Sequence, residues 1–402
     1  MKWLIVEDAL RDRTGHWAEY IQTFQKGLTE LGDEVTILAD RDAKSFIVEG
    51  LKAKPVLPES IWHRMSDGSS AWRRYARVPA HAWKTIRCLK HWFRQNDSPD
   101  VVFVPTVLVH HLLAWYWLLK SGAVPAQSRV LLFFPNLPLY LDNTGTAHWS
   151  GGPTTKLLSI LFAKLRPYVN QKRVIVAVET EPMRKALMQL TELPVLYLPH
   201  PVHMVADATS ATNDTLILGS YGAARQEKGS ELLQLAIAQF LEKHPHADVR
   251  FVIQWIDDFR NEHGELVQPL PALQGSGRVE FIRQYFADGE YAKTLATTSV
   301  ILLPYRRDAY NVRVSRVVIE AMIQGSPVIT TNQTTMSNQL EEFGAGLTFS
   351  DGSLSEFVSG LEEAVSSFTE LRTQAVARQQ EAQRHFSVSK FRSLLRTHIE
   401  SA

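Results

Sequence analysis

Two segments of this 402-residue sequence gather side chains that could hold an anion. The first is Leu303-Pro304-Tyr305-Arg306-Arg307-Asp308-Ala309-Tyr310-Asn311-Val312-Arg313-Val314-Ser315-Arg316, which runs into an apolar helical pattern from Val317 to Gln324. A strand ends, an arginine-rich loop crosses over, and a helix starts near Ser315, where free amides and the positive end of the helix dipole favour phosphate. Glu320 lies one turn and a little further on. A carboxylate there could accept hydrogen bonds from ribose hydroxyls while amides and arginines take the diphosphate, a division of labour that suits a sugar nucleotide. The same arginines can equally form a solvated, salt-bridged rim with Glu320 facing water.

The second segment is Gly219-Ser220-Tyr221-Gly222-Ala223-Ala224-Arg225-Gln226-Glu227-Lys228-Gly229-Ser230, between a strand and a helix. Its glycines let backbone approach a ligand, and Arg225 and Lys228 can neutralise two phosphates. The spacings GxxxxGK[ST] and GxGxxG are both absent, which argues against an ATPase and a dehydrogenase. A plain glycine turn with solvent-facing charge is the competing description. Asp40-Arg41-Asp42 and Asp257-Asp258 are the acidic pairs open to a metal, and surface carboxylates explain them as well. His110 and His111 are adjacent, point in different directions on a helix, and are not expected to share one metal.

These segments need strands and helices to position them. Trp3 to Val6 reads as a strand, Trp17 to Leu31 as a helix closed by Gly32, and Glu34 to Leu38 as a second strand, a βαβ unit. A helix over His81 to Arg94 leads into the strand Asp100 to Val104, and Val130 to Phe134 and Val174 to Val178 read as buried strands. Continuous apolar strands alternating with helices indicate an α/β fold with a parallel sheet covered on both faces. The pattern breaks between 199 and 215 and then restarts with Leu216-Ile217-Leu218. The expected domains are therefore residues 1–203 and 204–385, each doubly wound, followed by a helix in 386–402. In that tail Ser387 is a fitting N-cap and Val388, Phe391, Leu394 and Leu395 form an apolar stripe.

Composition bounds the rest. Hydrophobic residues at 45% and charged residues at 21% describe a globular chain and exclude collagen-like and largely disordered classes. The single cysteine, Cys88, excludes an intrachain disulfide framework and fits a reducing cytoplasm. No signal peptide and no continuous membrane span of ~20 residues is expected. Residues 1–200 carry seven more basic than acidic side chains, and 201–402 six more acidic than basic, which suggests two domains with different tasks. The acid-free stretch Gly68 to Asn96 interleaves bases with Trp72, Tyr75, Trp83, Trp92 and Phe93. Residues 72–94 could dock on an anionic membrane or a lipid-linked acceptor, or form an ordinary amphipathic helix. Nucleic acid is not an expected partner.

The two anion segments together resemble the retaining nucleotide-sugar glycosyltransferases of the GT-B fold, family 4 in particular. The likeness lies in Glu227-Lys228-Gly229, in Glu320-Ala321-Met322 followed by Gly325-Ser326-Pro327-Val328-Ile329, in Gly344-Ala345-Gly346, in Gly32-Asp33-Glu34-Val35 and in Thr14-Gly15-His16. The resemblance implies two Rossmann-like domains facing each other across a cleft, with the donor on the second and a glycan, lipid-linked or small-molecule acceptor on the first. It implies catalytic roles for Arg225 and Lys228 at the diphosphate, Glu320 at the ribose, the backbone near Phe281 and Ile282 at the base, and Gly15 under the phosphates. Tyr310, Arg313, Ser315 and Arg316 complete the implied donor site. It further implies polysaccharide biosynthesis, retention of configuration, no cofactor and no metal, and a final helix that crosses back to pack on the first domain and clasp the two domains across the donor cleft. Three departures stand out. A Glu common in the family eight residues before Glu320 is Val312, the family Arg five residues before Lys228 is Ala223, and Pro135-Asn136 stands where a first-domain His often follows the strand. A catalytically silent nucleotide-sugar-binding protein and a nucleotide-sugar epimerase remain alternatives.

Overall fold

The computed structural model describes residues 1–12, 17–61, 71–142, 144–202, 215–286 and 289–401, and for 71–75 the backbone alone. The chain forms two compact units, Met1–Pro201 with Ser387–Ala402, and Val202–Phe386.

In the first unit the strands are β1 (Lys2–Val6), β2 (Glu34–Asp40), β3 (Lys54–Leu57), β4 (Val101–Val104), β5 (Arg129–Phe134), β6 (Leu139–Leu141), β7 (Ala147–Trp149), β8 (Val174–Val178) and β9 (Val195–Tyr197). Seven of them form a parallel sheet in the order β3-β2-β1-β4-β5-β8-β9, and β6 and β7 form a separate hairpin. The order reverses between β1 and β4. Strands covered by helices on both faces have no solvent side, which is why β4 and β8 are apolar and buried at every residue.

The helix Trp17–Glu30 turns Tyr20, Ile21, Phe24 and Leu28 inward at helical spacing. Against it lies the last helix, Val388–Glu400, whose N-cap Ser387 accepts a hydrogen bond from the Lys390 amide at 3.1 Å. Phe391 is fully buried and meets Phe24, Phe103 and Phe133 at ring separations of 4.8, 5.6 and 5.9 Å. Gly27 permits this approach, because a Cβ there would lie 2.7 Å from that of Val388. Asp33 fixes the helix by charge: it accepts from Arg392 at 2.6 and 2.7 Å, from Trp3 Nε1 at 2.9 Å and from the terminal ammonium at 2.7 Å. The last helix thus belongs to the first unit's core.

The second helix of this unit, Ala71–Gln95, starts ten residues before the expected His81 and runs through Pro79. A proline inside a helix removes one amide donor and signals a boundary in sequence, and here the helix passes it. Its buried side is His81, Ala82, Thr85, Ile86 and Leu89; Trp83 is 62% exposed. Among the described residues no helix is long and apolar enough to cross a membrane.

The sequence reading of His110 and His111 needs correction. Both lie in the first turn of the helix Val109–Lys120, and their rings stand 3.9 Å apart. Both Nε2 atoms reach the same oxygen of Asp8, just beyond β1, at 3.8 and 2.8 Å. Adjacent residues converge because the helix end, rather than its flank, faces Asp8. Burial lowers His110 to about 3, with the His111 charge adding to it. Burial opposes charge on Asp8 too, but His111 and the surrounding imidazoles hold its carboxyl well below the usual range.

In the second unit the strands are β10 (Leu216–Ser220), β11 (Val249–Gln254), β12 (Phe259–Arg260), β13 (Leu266–Val267), β14 (Val279–Ile282), β15 (Val300–Leu303), β16 (Val328–Thr331) and β17 (Gly346–Phe349). The main sheet is parallel, in the order β14-β11-β10-β15-β16-β17, and it reverses between β10 and β15. Open α/β sheets bind ligands outside the carboxyl ends of the strands at such a reversal.

Candidate functional site

The chain after β10 makes a 3-10 turn, Gln226–Lys228, before the helix Ser230–Lys243. Gly229 sits at φ +63°, and a Cβ there would strike the Pro304 carbonyl, so only glycine fits between the loops that follow β10 and β15. The Arg306 amide donates to the Glu227 carbonyl at 2.9 Å, joining the same two loops. The Gly222 amide donates to Gln254 Oε1 at 2.7 Å.

Lys228 Nζ occupies the space over Gly222 and stands 5.6 Å from the centre of the buried Tyr305 ring. Burial, with the Arg225 charge adding to it, pulls Lys228 down to about 8. Among the described residues no carboxylate lies within ion-pairing distance of Nζ. Arg225 is 60% exposed and 3.6 Å from Glu227. An enclosed ammonium without a counter-ion, beside an exposed guanidinium, is arranged to receive an anion.

Beyond β15, Tyr305 packs on Tyr310 with ring centres 4.6 Å apart, and burial pushes both phenols up, Tyr310 to about 12. The Thr335 hydroxyl donates to the carbonyls of Tyr310 and Arg313, fixing the loop. Ser315 is the buried N-cap of the helix Arg316–Ile323, yet its hydroxyl does not cap that helix. Val312 is buried, at the position where a family glutamate was expected.

Glu320 is also buried and does not face water. Its two oxygens accept from Arg316 Nε at 2.7 Å and from the Tyr291 hydroxyl at 2.5 Å. Tyr291 is held well above the ordinary phenol value by its burial and by the Glu320 charge, and remains a donor.

Phe281 and Ile282 end β14 and line a cavity of about 480 Å³ with Tyr221, Phe286 and Glu290. Tyr221, Phe286 and Tyr291 form an aromatic trio with ring centres 5.5 to 6.1 Å apart. The three rings are inclined to one another by 44 to 80°, and Tyr221 and Phe286 present apolar surface to a cavity that Arg283, Gln284 and Glu290 also line.

The structure thus gathers Arg225, Lys228, Tyr310 and Ser315 around Tyr305, and joins Arg316 to Glu320 through a direct ion pair. Gly15 lies outside the described residues. Gln254, Tyr291 and Thr335 were absent from the sequence reading, because each acts on a partner at least 22 residues away. Of the acidic pairs, Asp258 is taken by Trp255, Gln268 and Arg283, and Asp40 is buried with its carboxylate turned to the Asp42 amide.

Residues 213–367 match the family described as glycosyl transferases group 1. No curated protein matches the sequence. The fold is similar over its whole length to sucrose-phosphate synthase from Thermosynechococcus elongatus, at 15% identity, 100% of both chains and a TM-score of 0.64. It is similar to Anabaena HepE in complex with UDP and glucose, at 13% identity, 100% of both chains and a TM-score of 0.63. A third likeness is to an E. coli trehalose-6-phosphate structure bound with UDP-2-fluoro glucose, at 14% identity, 100% of this chain, 99% of that chain and a TM-score of 0.65. Residues 213–367 are therefore similar to glycosyl transferases group 1, and the chain carries the GT-B fold.

Proposed function

We propose that this protein transfers a sugar from a nucleoside-diphosphate sugar, bound by the second unit, to a glycan or lipid-linked acceptor held by the first. The observation that carries the reading is Lys228, an enclosed cation without a carboxylate partner at the point where the second sheet reverses. With Arg225 and the amides before Ser315 and Arg316, it would neutralise the charge that grows on the departing diphosphate, an electrostatic task that needs no metal. Tyr310 and Arg313 border this phosphate position, Glu320 would take the ribose, and the cavity beside Phe281 and Ile282 would take the base. UDP is the first nucleotide to test, since the HepE complex and the E. coli structure hold uridine nucleotides. Retention follows if the leaving phosphate accepts the acceptor proton on the same face. The exposed Trp83 with Lys84, Arg87 and Arg94 on one helix supports contact with an anionic lipid surface or a lipid-linked acceptor on the cytoplasmic side.

Calorimetry with UDP, GDP, ADP and dTDP and their sugars tests the donor site. One of the four should bind, and binding by none would end the reading. Buried Val312 favours one second reading, a nucleotide-sugar-binding protein without turnover. Donor binding without hydrolysis or transfer to any acceptor would select it.

A further inference from the structure

We propose that Asp8, His110 and His111 form a binding site for one divalent transition-metal ion of the zinc class, at the point where the first sheet reverses between β1 and β4. One ligand atom from each of the three lies within 4.8 Å of the others, and all three residues are buried. Zinc bonds of about 2.0 to 2.2 Å require ligand atoms within roughly 4 Å of one another, so a small adjustment suffices. The loop after β1 supplies the carboxylate and the helix after β4 supplies both imidazoles, in the crevice where open α/β sheets take ligands.

Among the described residues, Asp8 Oδ1, His110 Nε2 and His81 Nε2 have no hydrogen-bond partner, although all are buried. His81 Nε2 is 3.1 Å from Asp8 Oδ2 but lacks the alignment of a hydrogen bond. Buried polar groups in folded proteins are nearly always satisfied, and one cation would satisfy these together. It would also balance the neighbouring carboxylates of Glu7 and Asp8, which are 2% and 5% exposed.

The surroundings suit ligation. The Leu108 amide donates to His111 Nδ1 at 3.1 Å, which fixes the ring with Nε2 toward Asp8. His81 is held through Nδ1 by Thr85 Oγ1 at 3.4 Å and also lines a cavity of about 260 Å³. Imidazole with carboxylate, and no thiolate, selects the zinc, iron, cobalt or nickel class over magnesium and calcium.

The test is metal content after dialysis of the full chain against Zn2+ or Co2+ and then against metal-free buffer. Wild type should retain one ion per chain, and His110→Gln and Asp8→Asn should weaken retention about 100-fold or more, since even outer-shell losses cost 10- to 100-fold. His148→Gln, at the separate Asp142–His148 pair, should retain the ion. X-ray absorption on the zinc-loaded wild type decides the matter without any variant, and should show scattering from at least two imidazoles. A wild type that retains no ion, variants that retain it unchanged, or zinc without imidazole scattering would each overturn the proposal.

Discussion

The two main sheets are wound alike, and each reverses its strand order beside the first strand of its unit, yet opposite chemistry collects there. In the second unit the reversal gathers Gly222, Arg225, Lys228 and the helix start at Ser315, a set of cations and amide donors. In the first unit it gathers Glu7, Asp8, His81, His110 and His111, with carboxylates at its centre. The shared winding explains why a crevice opens at both places. Only the loops decide which charge is wanted: an enclosed ammonium without a carboxylate calls for an anion, and carboxylates among imidazoles call for a cation.

The strongest way to break this comparison is Lys228→Ala. If the ammonium stabilises the leaving diphosphate, turnover should fall on the order of 10²-fold or more, with kcat affected more than KM. The melting temperature of the free protein should hold or rise, because a half-buried charge without a counter-ion has been removed. Steady-state kinetics and calorimetric melting together check it. Loss of stability with normal turnover would make Lys228 a structural residue.

Glu320→Ala should have the next largest effect. Donor binding should weaken by about 1.5 to 3 kcal/mol, as expected for charge-assisted hydrogen bonds, and titration calorimetry with the nucleotide reads it directly. Tyr291→Phe sharpens the result. If the carboxylate serves only its internal partners, this variant and Glu320→Ala will lower stability while leaving donor affinity unchanged.

The smallest effect is a dependence on pH. Lys228 stands at about 8 in the fold, against 10.5 for an exposed lysine. Between those values the unfolded chain binds the proton and the folded chain does not, so this group makes stability rise with pH there. Diphosphate affinity should move the other way, falling above about pH 8 by up to roughly tenfold per pH unit as the free lysine loses its charge. The difference between wild type and Lys228→Met isolates both trends, and parallel trends would remove Lys228 from the anion site.

The βαβ alternation, the break near residue 200 and the helix after Ser387 were legible in the sequence because each is written in local periodicity, glycines and capping residues. The loops over Gly219 to Ser230 and Leu303 to Arg316 were legible as strand-to-helix connections for the same reason, each being one continuous stretch. The imidazole–carboxylate cluster was not. Residues 8, 81, 110 and 111 come together only through the pairing of β1 with β4 and through a helix that continues past Pro79. Tyr291 on Glu320 was hidden likewise, 29 residues from its partner. Short strands such as β6 and β7, three residues each, leave too little alternation to read.

The last helix sets an order on synthesis. Phe24, Phe103 and Phe133 are made early, but the aromatic ring that covers them, Phe391, is added only after the whole second unit has been synthesised. At about 5 to 20 residues per second, the nascent first unit waits roughly 10 to 40 s with that apolar face uncovered. The second unit, continuous in the chain, can fold during the wait. The nascent chain is therefore most exposed to chaperones and proteases in the half translated first.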